Sequence, residues 1–548
     1  MRKLISFLLM ACCAPCVAAE LPPLGEAAKA WATDLGHGAV ATAEKRDGRW
    51  SFAVAGQPFV AGHAEVPPER VLFEIGSISK VFTGILLADA VAAGKLRLED
   101  TLAQRLTVQW AHPATGAVTL GQLATHTSCL PRLPDNMTAS ATIEDPYARY
   151  DKKALFEYLA GAKLDGKPPC ESSYSNLGFG ILGVVLETAY GKPWAALVQE
   201  KIAGPLGMTD TVQELSVDQR ARFAEPWQGD KRAQPWTFQA MAGAGALRST
   251  LADMSRFADA LLAGPKGPLG HVWPLLAGDH AEMPSLGGKI GLGLLHLKTG
   301  GEDVYLHDGG TGGFRSQVQV RPASGRAFVL LVSNSAVDPI GWLNAWEATG
   351  REPVKRAEVT LPPETLDEYA GVYSVDKTMR FTLVRQGDGL VARLTGQPFA
   401  PIFASAKDEF FYKIVDAQLS FHRDERGKID RLTLHQNGRD LQARREPGPP
   451  PKVEFPEAAV LAEYEGEYDF GQYQPGARFT IKPGPGVLLV QLTGQPPLPT
   501  FSAGKDRFEA DAVEAAVTFE RDAAGKVVAL ILHQNGMAMR SPKIGGVP

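Results

Sequence analysis

Residues 71–80 read Val-Leu-Phe-Glu-Ile-Gly-Ser-Ile-Ser-Lys, an extended apolar approach that ends in a glycine and then turns into a helical pattern. We predict a helix that begins near Ser79 and is stopped by Gly94. Two residues that are three apart lie on one face of a helix, so the Lys80 amine can reach the Ser77 hydroxyl. The stretch therefore predicts a strand, a serine at the turn and a lysine-bearing helix.

This serine and lysine pair predicts nucleophilic catalysis. A serine hydroxyl is a poor nucleophile until a neighbouring base takes its proton. Lysine can act as that base where burial and neighbours lower its pKa from about 10.4. The pattern is weak on its own, and a second Ser-x-x-Lys occurs at Ser502 and Lys505. That second copy lies in a C-terminal repeat that has Ala404 opposite Ser502, and we interpret it as fortuitous.

Two later segments carry polar groups that suit the same chemistry. Tyr174 and Asn176 come just before a predicted helix at 177–190, on a loop where a phenol and an amide can face the serine. Residues 307–313 read His-Asp-Gly-Gly-Thr-Gly-Gly, a strand that enters a glycine cluster and lets a substrate backbone approach closely. Each segment alone is typical of a turn or a strand end. Together with the serine and the lysine they predict an active site.

Ser77-x-x-Lys80, Tyr174-x-Asn176 and His307-x-Gly309 resemble, in this order, the three signature motifs of the penicillin-recognising serine hydrolases. Within them the closest resemblance is to the class C β-lactamase branch, which includes D,D-carboxypeptidases, D-aminopeptidases and esterases. It extends over residues 30 to 340. The resemblance implies a β-lactamase/transpeptidase-like α+β domain, with an antiparallel sheet flanked by helices. Strand patterns at both ends of this region predict that its terminal segments share one sheet.

The resemblance also implies a role for each motif residue. Ser77 would be the acylated nucleophile, Lys80 its base, Tyr174 a proton relay, and Asn176 a ligand for the substrate amide. The backbone N–H groups of Ser77 and Gly310 would form the oxyanion hole, where each donor contributes roughly 3 kcal/mol of transition-state stabilisation.

The chain departs from the family at the third motif, where many relatives have Lys-Thr-Gly. A literal Lys-Thr-Gly occurs at 298–300, and we interpret it as a polar turn between two strands. His307 is preferred because Thr-Gly-Gly-Phe follows its motif. Histidine is mostly neutral at pH 7, so the attraction for a substrate carboxylate is weakened unless Arg315 supplies it. With Gly309 and Gly310 these residues would line the substrate site, and peptide, amide or ester substrates are favoured over common β-lactams.

An internal repeat occupies the C-terminal part of the chain. Leu-Thr-Gly-Gln-Pro at 394–398 returns at 492–496, and Leu-His-Gln-Asn-Gly at 434–438 returns at 532–536. Identities at one constant offset indicate a duplicated domain. Short alternating runs separated by turns predict two small antiparallel β-barrels or β-sandwiches without helices. They look like the accessory barrels of D-aminopeptidases in this family.

These observations divide the chain into five segments. We predict a signal peptide at 1–19, a serine hydrolase domain at 20–355, β-domains at 356–446 and 457–548, and a proline-rich linker at 447–456. The leader has a basic start, an apolar run and a small-residue cleavage site. It predicts a periplasmic or secreted protein, with a lipid on Cys12 as the alternative.

After removal of the leader, Cys129 and Cys170 are the only cysteines. In the oxidising compartment that export implies, they can form a disulfide; the alternative is two separate buried thiols. The resemblance implies that both border the active-site cleft, where a bridge would pin the Tyr174 loop.

The formal net charge of −5 argues against the strongly basic surface that nucleic-acid binding needs. No metal-ligand spacing occurs, and no cofactor is expected. The leading hypothesis is an exported serine hydrolase that forms an acyl-enzyme on Ser77 and cleaves β-lactam or D-Ala-type peptide amide bonds. The alternatives are a D-aminopeptidase or esterase of the same family, and a penicillin- or peptidoglycan-binding sensor that does not turn over.

Overall fold

The computed structural model describes residues 21–545, apart from gaps at 61–62, 140–143, 285–286, 300, 349–355, 377–378, 414–416, 437–438, 451–452, 475, 485, 494, 496, 511–512, 514 and 535–536. The leader with Cys12 and the junction near 355 lie outside these residues. An α+β domain is followed by two closed eight-stranded barrels. The predicted fold class is confirmed, and the repeated domains are barrels rather than sandwiches.

One antiparallel sheet organises the N-terminal domain. Its order is β2-β1-β12-β11-β10-β9-β8-β7. Val40 of β1 pairs with Val332 of β12, so the two terminal segments share a sheet as predicted. The described part of this domain has twelve strands: β1 (Ala39–Arg46), β2 (Arg49–Gly56), β3 (Leu72–Glu74), β4 (Trp227–Gln228), β5 (Lys231–Arg232), β6 (Arg248–Thr250), β7 (Ala281–Met283), β8 (Gly288–Ile290), β9 (Leu295–Thr299), β10 (Glu302–Gly310), β11 (Arg315–Arg321) and β12 (Arg326–Val332).

Helices cover the sheet and surround two buried ones, α2 and α7. Both of these are apolar on nearly all sides, which is typical of helices in the interior of a domain. Ser175 caps α7 by accepting a hydrogen bond from Gly178 N at 3.0 Å, and Gly191 ends it in a left-handed conformation. The helices described here are α1 (Leu24–Leu35), α2 (Ser79–Ala92), α3 (Leu102–Arg105), α4 (Pro113–Gly116), α5 (Leu120–Ala124), α6 (Lys152–Gly161), α7 (Asn176–Tyr190), α8 (Trp194–Val198), α9 (Val217–Arg220), α10 (Ala242–Gly245), α11 (Leu251–Ala263), α12 (Trp273–Leu276) and α13 (Pro339–Ala348).

The short helix α10 packs tightly against α7 because its sequence is Ala-Gly-Ala-Gly. A Cβ atom at Gly243 would lie only 2.5 Å from the Phe179 carbonyl oxygen, a spacing that a real side chain does not tolerate. Gly243 O also accepts a hydrogen bond from Thr83 Oγ1 of α2 at 2.8 Å, so α10 contacts the helix that carries Lys80 as well.

Each barrel closes on itself through pairing of its first and last strands, for example Tyr373 with Arg445. The first barrel contains β13 (Gly371–Ser374), β14 (Arg380–Gln386), β15 (Gly389–Leu394), β16 (Ala400–Ala406), β17 (Glu409–Tyr412), β18 (Ala417–Arg423), β19 (Ile429–Gln436) and β20 (Arg439–Arg445). The second contains β21 (Gly466–Asp469), β22 (Arg478–Gly484), β23 (Val487–Leu492), β24 (Leu498–Ser502), β25 (Arg507–Ala510), β26 (Ala515–Arg521), β27 (Val527–Gln534) and β28 (Met537–Gly545).

The prediction that the repeats contain no helix is wrong. A short helix precedes each barrel, α14 (Pro363–Tyr369) and α15 (Ala458–Ala462). Proline at the first turn and Glu364 beside it favour the start of α14. Five to seven residues are too few to give a periodic pattern, so the helices were not visible among the strand signals.

The repeated residues form the same polar cluster in both barrels. In the first, the Tyr369 hydroxyl donates to Asp408 at 2.9 Å, and Arg423 pairs with Asp408 at 2.7 Å. In the second, Tyr464 and Arg521 make the same contacts to Asp506. The repeat also carries Lys-Asp-x-Phe from 407–410 to 505–508, and this cluster gives the aspartates of that motif and the tyrosines that contact them a structural role.

The first barrel lies against the β7–β9 end of the sheet. A cleft of about 1000 Å³ separates them, with Glu171 and Lys289 on one wall and Asp440 and Arg444 on the other. Within the described residues, no helix combines the length and hydropathy that a membrane span needs.

Candidate active site

Ser77 lies in a single 3-10 turn, Gly76–Ile78, between β3 and α2. Gly76 has a positive φ of 48°, and a Cβ atom there would lie 2.7 Å from the Gly310 backbone nitrogen. Only glycine fits this position without strain. The serine turn therefore contacts the end of β10 directly, as an oxyanion hole built from the N–H groups of Ser77 and Gly310 requires.

A buried ion pair supports the approach to this turn. Glu74, on β3, accepts hydrogen bonds from the Arg248 guanidinium and from Trp236 N, both at 3.0 Å. Burial raises the pKa of Glu74 to about 7, although Arg248 opposes the shift. Glu74 thus lies three residues before Ser77, in surroundings that disfavour the ionised form of its carboxyl group.

Lys80 is fully buried and contacts three oxygen atoms. Its Nζ lies 2.9 Å from Ser77 Oγ, 2.9 Å from Asn176 Oδ1 and 2.7 Å from the Ala244 carbonyl oxygen. Burial, reinforced by the positive charge of Arg132, lowers the pKa of Lys80 well below its usual value. The sequence paired Lys80 with Ser77, but it did not reveal Ala244, because a backbone acceptor on α10 leaves no mark on residue type.

Tyr174 lies beside the serine and the lysine, with Lys80 Nζ 4.8 Å from the centroid of its ring. Burial raises the pKa of this phenol above its ordinary value, so it is protonated at neutral pH. His126 holds the Tyr174 loop, because its Nδ1 accepts a hydrogen bond from Ser175 N at 3.1 Å. Its ring also packs against Tyr174, with 4.6 Å between the ring centroids.

Cys129 and Cys170 form a disulfide, so the alternative of two separate thiols is not what the structure contains. The segments on either side of it run together, with Cys170 N donating to the Thr127 carbonyl and Ser173 N donating to the His126 carbonyl, both at 2.9 Å. The bridge therefore lies at the base of the loop that presents Tyr174.

Asn176 is the first residue of α7 and connects Lys80 to a residue that the sequence did not single out. Its Nδ2 donates to the Tyr147 hydroxyl at 3.0 Å. Tyr147 stacks on Phe238 with ring centroids 4.7 Å apart, and Trp236 meets it edge-on at 5.3 Å. These three rings form an aromatic wall beside Asn176. In the sequence, the only hint of this wall is the pair of aromatic residues at 236 and 238.

His307 is buried on β10, where its Nδ1 donates to the Asp308 carbonyl oxygen at 2.5 Å. Burial lowers the pKa of His307, so its neutral form prevails at pH 7. The pairing of β10 with β9 ends at Leu306, whereas its pairing with β11 continues to Gly310. Among the described strands, the edge from His307 to Gly310 therefore has no neighbour on that side, and an extended substrate can add there.

Arg315 lies on the face of the sheet that Asp308 and Gly310 share. A side chain at Gly310 would collide with the Arg315 guanidinium, whereas one at Gly309 would collide with the Ile75 carbonyl. Adjacent residues of a strand point to opposite faces, so Arg315 and His307 are on different faces of β10. Burial lowers the pKa of Arg315, and the charges of Asp308 and Asp338 oppose that shift.

The two fortuitous motifs lie elsewhere. Lys298 sits at the end of β9 and pairs with Asp303 across the hairpin at 3.1 Å, while Gly300 lies outside the described residues. Ser502 donates to Glu454 in the second barrel. No group of three metal-ligating side chains occurs in the described part of the chain.

Comparison with known proteins agrees with this geometry. The family model for beta-lactamase matches residues 29–347, and that for a domain of unknown function, DUF3471, matches residues 355–445. The chain is 29% identical over 277 residues to the D-alanyl-D-alanine-carboxypeptidase/endopeptidase AmpH of Escherichia coli K12, covering 48% of this chain and 70% of that protein. It is 27% identical to penicillin-binding protein 4 of Amycolatopsis lactamdurans, covering 48% of this chain and 72% of the relative.

The solved structures add a likeness of fold. A beta-lactamase/D-alanine carboxypeptidase from Pseudomonas syringae superposes with a TM-score of 0.51 at 19% identity, over 60% of this chain and 98% of its own. The class C beta-lactamase of Rhodobacter sphaeroides gives a TM-score of 0.50 at 20% identity, over 59% and 98%. Because the family match spans more than half of the chain and contains the whole serine, lysine and tyrosine cluster, this protein belongs to the beta-lactamase family of penicillin-recognising serine hydrolases.

Proposed function

We propose that the chain is a serine acyl hydrolase that cleaves the amide bond of a D-Ala-type peptide or of a β-lactam ring. Ser77 attacks the carbonyl carbon, the amine leaves, and water then hydrolyses the ester on Ser77. The domain at 20–355 would carry this chemistry, and the barrels at 356–446 and 457–548 would be accessory.

The contacts of Lys80 carry the proposal. A neutral amine has two N–H donors and one lone pair. The Ala244 carbonyl oxygen and Asn176 Oδ1 can only accept, so they take the two donors. The remaining neighbour, Ser77 Oγ at 2.9 Å, is the only one of the three that carries a proton to give. The deprotonated form favoured by burial is therefore oriented to accept the serine proton.

The other groups around Ser77 suit the steps that follow. The protonated phenol of Tyr174 can pass a proton to the leaving amine and later take one from the hydrolytic water. The N–H groups of Ser77 and Gly310 can stabilise the oxyanion, at roughly 3 kcal/mol for each donor. Asn176 and the free edge of β10 can hold the substrate backbone.

The names of the relatives support the substrate class, since they include a D-alanyl-D-alanine carboxypeptidase and a penicillin-binding protein. We infer that the protein is exported, because the Cys129–Cys170 disulfide and the leader at 1–19 both suit an oxidising compartment. D-aminopeptidase and esterase activities remain candidates because His307 is neutral and buried.

A substrate panel with a labelling assay tests the proposal. The mature chain is incubated with a fluorescent penicillin, D-alanyl-D-alanine peptides, D-amino-acid amides, p-nitrophenyl esters and a chromogenic cephalosporin. We expect label on Ser77 that appears and then decays, with turnover of at least one amide substrate. Label that persists without turnover would favour the sensor, and turnover of esters or D-amino-acid amides alone would favour the esterase or D-aminopeptidase.

Ser77→Ala is the matched control. It should abolish both labelling and turnover while the protein stays folded by circular dichroism. No label and no turnover of any substrate by the wild type would overturn the proposal, and full activity of Ser77→Ala would overturn the assignment of the nucleophile.

A further inference from the structure

The site needs a positive charge if it is to bind a substrate that ends in a carboxylate, and the third motif does not supply one. The imidazole of His307 is buried, and its neutral form prevails because burial lowers its pKa. Arg315 lies on the opposite face of β10, beside the negative charges of Asp308 and Asp338. Neither residue offers a free cation on the Ser77 side of the strand.

Arg132 offers one. Its guanidinium carbon lies 5.0 Å from the centroid of the Tyr174 ring, and the residue is exposed. Within the described part of the chain, no carboxylate lies within the 4.0 Å that would make an ion pair with it. The guanidinium is close enough for its charge to lower the pKa values of Lys80 and His126. The guanidinium therefore lies within electrostatic range of the Lys80 amine, beside the ring of Tyr174.

The backbone holds Arg132 in this position. Its carbonyl oxygen accepts hydrogen bonds from the N–H groups of Asn176 and Leu177, at 3.0 and 3.1 Å, at the start of α7. Three residues before it, Cys129 is bonded to Cys170. The backbone that carries the guanidinium is thus held by the same disulfide-linked segments as Tyr174, and the planar fork of the guanidinium suits a carboxylate.

We propose that Arg132 binds the free carboxylate of the leaving residue, and so makes peptides with an unblocked C-terminal residue the preferred substrates. The proposal rests on the proposed function, because Tyr174, which Arg132 covers, is the group that protonates the leaving amine. In the leaving residue, a single carbon atom separates the carboxylate from the amine nitrogen. When that nitrogen takes a proton from Tyr174, the carboxylate therefore comes close to the Arg132 guanidinium.

The test compares an N-acyl D-alanyl-D-alanine peptide with its C-terminal carboxamide in wild type, Arg132→Gln and Arg132→Lys. All rates are taken on the plateau of the pH profile, where a small change in the pKa of Lys80 has no effect. For the acid, we expect Arg132→Gln to raise KM at least 30-fold with kcat within threefold, and Arg132→Lys to recover part of the loss. For the carboxamide, kcat/KM should change less than threefold. Arg149→Gln, which removes another exposed arginine between the two cysteines, is the matched control and should match the wild type.

Binding to Ser77→Ala gives a second readout that does not need turnover. Calorimetry should show the acid bound at least tenfold more tightly than the carboxamide, with the preference lost in Ser77→Ala/Arg132→Gln. Equal losses for acid and carboxamide, or no change in either, would overturn the role of Arg132 and leave the hydrolase intact. Absence of Ser77 labelling and of peptide binding in the wild type would instead overturn the proposed function.

Discussion

Replacing Gly76 by alanine tests whether the contact between the serine turn and β10 positions the oxyanion hole. A Cβ atom at this position would lie 2.7 Å from Gly310 N and 2.9 Å from the Gly310 carbonyl oxygen. Ordinary contacts begin at 3.4 Å, so one backbone must move by 3.4 − 2.7 = 0.7 Å. Both groups are main chain, and neither can rotate out of the way.

A displacement of this size acts on catalysis more than on stability. Misplacing reacting groups by about 1 Å costs roughly 100-fold in rate, and the loss of one oxyanion donor costs roughly 100- to 1000-fold. We therefore expect Gly76→Ala to lower kcat by roughly 30- to 100-fold. The left-handed backbone adds about 1–2 kcal/mol of destabilisation, because an alanine must adopt a positive φ.

Gly94→Ala separates the two effects. Gly94 has a φ of 67°, and a Cβ atom there would meet nothing within 4 Å, so this variant carries the backbone strain without the collision. The assay is kcat on the best substrate of the panel, or the rate of Ser77 labelling by a fluorescent penicillin, with unfolding in urea measured in parallel. Gly76→Ala should lose at least as much stability as Gly94→Ala, and a much larger fraction of the rate. A Gly76→Ala rate within threefold of Gly94→Ala would refute the reasoning.

Three further outcomes follow from the structure. Lys80→Gln should lower kcat/KM at least 1000-fold, because it removes the base that accepts the serine proton. In the wild type, the rate should fall as the pH falls through the pKa of Lys80, and a pH–rate profile should show this fall well below pH 10.5. Serine at both Cys129 and Cys170 should lower the free energy of unfolding by about 4 kcal/mol, because the bond closes a segment of 41 residues; an unchanged urea midpoint would contradict this. Between pH 4.5 and about 7 the unfolded chain loses a proton that Glu74 keeps in the native state, so stability should fall by at most about 3 kcal/mol as pH rises through this window. Glu74→Gln should remove that slope from urea titrations at successive pH values, and an identical slope in the variant would assign it to another group.

The sequence predicted the parts of the site that depend on short spacing. Ser77 and Lys80 meet because three residues make one helical turn, and Asn176 joins them because α7 begins at that residue. The Asp47-Gly48 pair, a common hairpin-turn sequence, joins β1 to β2 with a positive φ at both residues.

Other parts depend on contacts between distant segments, and residue types do not encode them. Arg132 reaches Tyr174 only because Ser175 Oγ donates to the Pro131 carbonyl and Arg132 itself receives the first N–H groups of α7. Tyr147 reaches Asn176 along a loop with no motif. The sequence left open whether Arg315 supplies the missing charge, and strand alternation puts this residue on the other face of β10 from His307.

The shared sheet sets an order in which the chain can fold. Val40 pairs with Val332, so the first strand waits for a partner that lies 332 − 40 = 292 residues later. The first barrel closes by pairing Tyr373 with Arg445, only 445 − 373 = 72 residues apart. Contacts between residues far apart in the chain form slowly, because a long loop must close first. During synthesis, strand β1 thus remains without its partner β12 until nearly the whole first domain has emerged. Over that period we expect this strand to be the segment that chaperones hold and that aggregation threatens.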